Sequence, residues 1–363
     1  MTDQRNKYGL KTFSRTKEEF VSFYEKELKD FMMELEEERN TYWKTIRNQL
    51  ILVFLGLVIL LPVFFFFDQG DTFLKGIIYF NLCAFSLGYI ALTYTNRTKE
   101  LDGKVKDQVV PQLVEFMNPN FSYEAEKFMD KVDFDRTLIF RNKTDGFLGD
   151  DLISGFVYDE EEEAQTKVSF SEIAAMNIHK SVNIKGEKVK PAGVYVNGLF
   201  FKAEFNKDFG KSITIIKPRW LLGKRKYQKK LARYGKGTPL EEVHLENDEF
   251  MEEFITHSND QVQARVILQS DTMQNLLDYV HYRAETITGE KAKKRKKKFF
   301  IPYFTFRDHH IYLVLHTRKN HFNILLHKKI TIDTTYDYFK DINRSLRLID
   351  DLNLNLDLYK KTS

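Results

Sequence analysis

The chain has one cysteine, Cys83, among 363 residues. A single thiol closes no disulfide within the chain and builds no cysteine zinc site, which agrees with a reducing compartment. With 7 prolines and 17 glycines, little of the chain reads as flexible linker. There is no glycine-rich phosphate loop of the Walker or dinucleotide type and no HExxH pair. A nucleophile elbow and the protein-kinase motif set are missing as well. These absences disfavour an enzyme with a local signature and leave only an active site assembled from distant residues. No cofactor is expected.

What the chain does have is two uncharged stretches. Eighteen apolar residues run from Leu50 to Phe67, and a second uncharged run spans Gly76 to Thr95. At about 1.5 Å per residue each reaches roughly 27–30 Å as a helix, the thickness of a bilayer's hydrocarbon core. The connection, residues 68–75, is too short for a domain, so the pair reads as a transmembrane hairpin over residues 48–95. A secretory signal does not fit. The first run begins about fifty residues in, is too long for a signal core, and leads from Pro62 into Phe64–Phe67 with no small-residue cleavage site. Asn81, Ser86, Thr93 and Thr95 dilute the second run, as hydroxyl and small residues do where membrane helices meet. Arg39, Lys44 and Arg47 precede the hairpin, and Arg97, Lys99, Lys104 and Lys106 follow it, whereas the connection holds Asp68, Asp71 and only Lys75. Excess Lys and Arg marks the cytoplasmic side. The expectation is a multi-pass protein of the cytoplasmic (inner) membrane with both termini cytoplasmic.

Residues 1–47 are expected to carry an amphipathic helix. Thr16 with Glu19 spells a capping box, and Phe20, Phe23, Tyr24, Leu28, Phe31 and Leu35 recur at helical spacing. Its polar face is acidic, which points the stripe at protein rather than lipid, either the cytosolic domain or a second copy in a homo-oligomer. Residues 96–118 repeat the pattern with Leu101, Val105, Val109, Leu113 and Phe116, closed by Asn118-Pro119-Asn120. Residues 119–363 form a cytosolic domain, or two subdomains. Strands are expected at Leu152–Tyr158, Thr166–Phe170, Gly193–Phe205, Ser212–Ile216, Phe299–Phe306, Ile311–His316 and Phe322–His327, the last two as a hairpin around Arg318-Lys319-Asn320. Helices are expected at Ser171–Met176, Asp248–Phe254, Asp271–Tyr282 and from about Thr335 to Leu352. The fold class is therefore membrane-anchored α+β, a two-helix hairpin plus a domain with a largely antiparallel sheet and a C-terminal helix.

Three stretches carry a resemblance. The first is Gly149-Asp150-Asp151 with Gly155, then Phe170-Ser171-Glu172. The second is Val196 to Phe201, then Ala203, Phe205-Asn206-Lys207 and Phe209. The third is Phe250 and Phe254, then Ser258, Asp260, Ala264-Arg265, Ile267-Leu268 and Met273. In this order they resemble a bacterial family, the domain-of-unknown-function family 3137, whose layout is an acidic helix, a close pair of membrane helices and a cytosolic domain. The resemblance implies that layout, no established activity, and a LemA-type membrane protein as a partner. By themselves the motifs read first as structural, with Asp260 as a helix N-cap.

Charge is the most informative signal for function. Residues 217–236 hold nine Lys or Arg and no acid: Lys217, Arg219, Lys224, Arg225, Lys226, Lys229, Lys230, Arg233 and Lys236. Residues 291–298 hold seven: Lys291, Lys293, Lys294, Arg295, Lys296, Lys297 and Lys298. The whole chain nets only +4, so everything outside these sixteen nets −12. The two basic loops are read as solvated connections, as contacts with anionic lipid head groups, or as a single-stranded nucleic-acid surface. A tether to the bilayer favours lipid over nucleic acid. Trp220, Leu221, Leu222, Phe299 and Phe300 beside the basic clusters either dip into the interface or begin core strands. The expected function is a membrane-tethered interaction or scaffold module. The alternative is an enzyme acting on a lipid or envelope component, with Asp150, Asp151 and Glu172 as its candidate catalytic acids. His310, His316 and His321 could meet across a hairpin, but they lack ligand-spaced partners and no metal site is expected.

Overall fold

The computed structural model describes residues 15–66, 72–139, 144–158, 165–177, 180–183, 186–189, 193–204, 209–219, 240–287, 302–316 and 324–351. The chain divides into two compact units. One comprises residues 15–113 with 321–341, the other residues 1–14, 114–320 and 342–363.

The first unit is helical. Helix α1 (Lys17–Phe23) starts at the capping box: the Thr16 hydroxyl accepts from Glu19 N at 3.2 Å, and the Glu19 carboxylate accepts from Thr16 N at 2.7 Å. A π-helical turn, Tyr24–Leu28, leads into α2 (Lys29–Phe66), a single helix of 38 residues. Helix α3 (Thr72–Lys104) has 33 residues and passes through a second π turn, Val105–Val109, into α4 (Val110–Met117). Most of both apolar stripes read from the sequence is inward, while Phe23, Phe31 and Phe116 are half-buried. Phe20, Leu28, Leu35, Leu101, Val105, Val109 and Leu113 are at most 1% exposed. Residues 324–341, including the first half of α9 (Ile332–Asp351), belong to this unit, and Phe20 meets the rings of Tyr336 and Phe339.

Helices α2 and α3 are each long and apolar enough to cross a membrane, by length and composition. Only 6% of each apolar window is buried, whereas a soluble core helix of that composition would be covered. Leu52, Phe54, Phe80 and Phe85 are all more than 60% exposed.

The second unit is built on a nine-stranded sheet in which every pairing is antiparallel. Its strands are β1 (Phe121–Glu124), β2 (Gly146–Tyr158), β3 (Gln165–Asn177), β6 (Gly193–Glu204), β7 (Ile213–Pro218), β8 (Glu241–Val243), β9 (Phe254–Ser258), β10 (Tyr303–Arg307) and β11 (His310–His316). In space they run β1-β2-β3-β6-β11-β10-β7-β9-β8, while β4 (Lys180–Asn183) and β5 (Gly186–Val189) form a separate hairpin. Helices α5 (Lys131–Arg136), α6 (Asp248–Glu253), α7 (Gln261–Ile267) and α8 (Ser270–Ile287) complete it. Asp260 caps α7 as expected, accepting from Val262 N and Gln263 N.

Two expected elements are corrected. Ser171–Met176 is not a helix but the second half of β3, because long partners on both sides, β2 and β6, override its helix-prone Ala and Glu. Residues 324–328 form no strand. The hairpin partner of β11 is β10, joined through Asp308-His309 with Arg307 opposite His310. Asp308 takes a φ of 54°, which a short polar side chain tolerates at a tight turn.

One face of the sheet is closed by residues 125–139, which cross the strands as a strap. Phe134 of α5 sits edge-on to Phe200 at 5.4 Å and shares a core with Ile173, Val196, Ile215, Tyr312 and Val314. Polar side chains rising from the sheet fasten the strap. Ser171 Oγ accepts from Met129 N at 3.1 Å, and Lys202 Nζ donates to Asp133 at 2.9 Å. Thr305 Oγ1 donates to Thr137 O at 2.7 Å, and Arg307 donates to Arg136 O at 3.1 Å, satisfying carbonyls that the short helix leaves open at its C-terminal end.

Candidate functional site

The three acids singled out in the sequence do meet. Asp150 and Glu172 are directly paired across β2 and β3, and the register breaks between Asp150 and Ile153. The one extra residue of this bulge turns Asp151, with a φ of 58°, toward the same place. One carboxylate oxygen from each of Asp150, Asp151 and Glu172 lies within 4.8 Å of the others. Asp151 and Glu172 are 4% and 8% exposed, and the Tyr123 hydroxyl donates to Asp151 Oδ1. Oxygen-only donors of this kind suit a hard divalent cation or a shared proton. Glu172 is not at a helix start as expected: all three are strand residues, brought together by antiparallel pairing. Gly149 makes room at this point, since a Cβ there would stand 2.4 Å from Glu172 O and 2.7 Å from Phe128 Cβ.

Of the basic residues, Lys224 to Lys236 and Lys291 to Lys298 lie outside the described residues. Their points of attachment do not. Segment 220–239 leaves from the end of β7, and segment 288–301 returns into the start of β10. These strands are antiparallel neighbours with Ile216 opposite Phe304, so Pro218 and Tyr303 lie at the same end of the sheet. Two segments far apart in sequence therefore attach side by side. Segment 220–239 then connects β7 to β8, which flank β9 and run parallel to each other.

Lys217 and Arg219, counted with the first basic window, have other roles. Arg219 Nε donates to Met251 O. Lys217 is 2% exposed within β7, and its Nζ donates to Ile139 O at the end of the strap. Burial drops its pKa to about 7. Diagonally across β9, His257 is 2% exposed, and burial followed by the nearby Lys217 charge pushes it down to about 4. Its Nδ1 has no hydrogen-bond partner among the described residues. Sequence reasoning missed this pair. The signal was present: Lys217 follows Ile213 and Ile215 at period two, which puts it on their inward face.

These residues belong to a larger pattern. A register row crosses all nine strands through Ser122, Ser154, Ser169, Lys202, Tyr312, Thr305, Ile215, His257 and Glu242. Every member but Ile215 is polar. The middle of the row, Thr305 and Tyr312, is fully buried beneath the strap.

The histidines do not assemble. His310 and His316 sit six residues apart at opposite ends of β11, about 20 Å in an extended strand. His310 lies beside the Tyr312 ring and His316 Nδ1 accepts from Asn197 N at 3.3 Å, while His321 lies outside the described residues.

A family model described as "Protein of unknown function (DUF3137)" matches residues 195–354. No curated protein and no solved structure matches the chain.

Proposed function

The chain belongs, through residues 195–354, to the DUF3137 family, and from that premise we propose a membrane-tethered interaction module that touches anionic lipid. In this reading α2 and α3 cross the inner membrane as a hairpin, with both chain ends cytoplasmic because the flanking Lys and Arg lie at those ends. The sheet unit is cytosolic, and segments 220–239 and 288–301 reach the phosphate-bearing head groups of the leaflet. The observation that carries the reading is the shared point of attachment at Pro218 and Tyr303. The two segments that attach there carry fourteen Lys and Arg, seven each. Each residue near an anionic surface contributes roughly 1 kcal/mol, so two such segments attached at one place reinforce each other at the same surface.

The test uses the full chain in nanodiscs with neutral lipid or with added anionic lipid, footprinted by lysine acetylation. Lysines of both segments are expected to be protected only in anionic discs, with protection lost in high salt. Equal labelling in the two discs overturns lipid contact. Protection conferred by added RNA in neutral discs transfers the segments to nucleic acid instead.

A further inference from the structure

The helical unit contains a grip built from both long helices. Residues 324–330 are held by their backbone. The Asp102 carboxylate of α3 accepts from Ile324 N. On α2, the Glu36 carboxylate accepts from Ile330 N at 2.8 Å while holding Arg39 through two bonds of 2.7 Å, and Arg39 in turn donates to Leu326 O. Ile324, Leu326 and Ile330 are 2%, 0% and 7% exposed, so three apolar side chains are plugged in while Leu325 and residues 327–329 face out. Arg39 is itself 3% exposed. A buried guanidinium bound to a carbonyl and a carboxylate, with one carboxylate on each helix taking a backbone N–H, is a specific clamp rather than incidental surface contact.

The clamp stands at a mechanically particular place. Glu36 and Arg39 lie on α2, which runs without a break to the apolar stretch from Leu50, and Asp102 lies on α3, which runs without a break from the stretch ending at Thr95. Just beyond the clamp both helices give way to π turns, at Tyr24–Leu28 and Val105–Val109. Such turns commonly mark functional irregularities in a helix. Between span and clamp, Tyr42 joins the helices with its hydroxyl 2.9 Å from Glu100, and it also stands 2.6 Å from Glu38, which pairs with Lys104 at the level of the clamp itself. A change of tilt between the apolar stretches moves Glu36 and Arg39 relative to Asp102, and the clamped segment has a fixed length.

We infer that residues 324–330 are a conformational coupler, a peptide clamped between the two membrane-crossing helices that loosens or tightens as their tilt changes. This rests on the membrane reading of α2 and α3. The clamped segment lies inside the family-matched region, continuous in sequence with β11 before it and α9 after it, so the state of the bilayer is passed to the part of the chain that defines the family.

The test is hydrogen exchange on the full chain in nanodiscs of short-chain and long-chain lipid. Hydrophobic mismatch shifts helix tilt at fractions of a kcal/mol per Å, so the Ile324 and Ile330 amides are expected to exchange about fivefold differently in the two discs. Trypsin cutting at the exposed Lys328-Lys329 should change in the same direction. In Glu36→Leu and Asp102→Leu chains both amides should exchange fast and alike in the two discs, with the protection of β3 and β6 unchanged. Equal exchange in the two discs by an inserted wild-type chain overturns the coupling while leaving the membrane reading intact. Failure of the chain to remain with lipid overturns the membrane reading and the coupling with it.

Discussion

The side-chain nitrogen of Lys217 donates to the backbone carbonyl of Ile139, 78 positions away, inside the sheet unit. This bond fastens the last residue of the strap to β7, yet it uses the least suitable group for a buried site. Burial favours the uncharged amine, and it favours the neutral form of His257 beside it as well.

The first prediction follows from that conflict. The folded value is near 7 against 10.5 for the free side chain. The unfolded chain therefore binds more protons in between, and stability rises with pH across that window. Thermal scans of the full chain should show stability increasing by on the order of 1 kcal/mol per pH unit from about pH 7 to about pH 9. Lys217→Met should flatten this slope. Because folding still strips a proton from Lys217 at about pH 9, the variant should gain on wild type steadily as pH falls toward 7, and the loss of the hydrogen bond to Ile139 O should show as a deficit only as pH approaches 10.5. A slope unchanged by the substitution would show that Lys217 is not its source.

Gly155 gives the second. A Cβ at this position of β2 would stand 2.2 Å from Asn120 O and 2.8 Å from Phe121 Cα, both backbone atoms that cannot rotate aside. Gly155→Ala should therefore push β1 away from β2 and cost about 1–3 kcal/mol, as overpacked cores do. Gly146→Ala meets only the flexible end of Met176 at 3.3 Å and should cost clearly less. Comparable melting temperatures for the two variants would refute this account of β1 docking.

Tyr123 and Asp151 give the third. A buried carboxylate that loses a hydroxyl donor loses one of its hydrogen bonds, so Tyr123→Phe should destabilise by about 1 kcal/mol or more. Asp151→Asn keeps an acceptor for Tyr123 and should be milder. If Tyr123→Phe is neutral, the hydroxyl contributes nothing at the acidic cluster.

Much of this architecture was legible in the chain, and the parts that were not share a cause. The capping box at Thr16, the Asp260 cap, the stripe from Phe20 to Leu35 and the two apolar runs depend on neighbours within a few residues, and they stand where local pattern places them. Ser171–Met176 carries the same kind of local signal, an Ser–Glu start followed by alanines, but β2 and β6 decide its state from a distance. Asp150, Asp151 and Glu172 were visible as acids. Their convergence needs an antiparallel register with a bulge, which no spacing along one strand encodes. Lys217 reads as one more charge in a basic run until β7 is known to be an inner strand. Segments 15–113 and 321–341 form one unit through contacts between residues more than two hundred positions apart, among them Glu36, Arg39 and Asp102 with residues 324–330 and Phe20 with Tyr336 and Phe339.

The acids of the helical unit give the last prediction. Burial raises the Glu36 carboxyl, but its bonds to Arg39 and to the Ile330 N–H outweigh that and hold it below the usual 4.5. Glu38 is likewise raised by burial and lowered further by Lys104 and Tyr42, and Glu100 is lowered first by Arg97 and then by Tyr42. Groups depressed in the folded state add stability above their unfolded values, and that stability is lost as pH falls through 4.5 toward the folded values. The protection of the Ile330 amide, corrected for intrinsic exchange, should hold from neutral pH down to about pH 5 and then fall as Glu36 takes up a proton. In a Glu36→Gln chain the amide should be less protected already at neutral pH, because Gln makes a weaker bond to Arg39, and the acid-dependent loss should diminish. Acid loss of the same size in that variant would place the sensitivity at Glu38 and Glu100, on the junction with Tyr42, and not at the clamp.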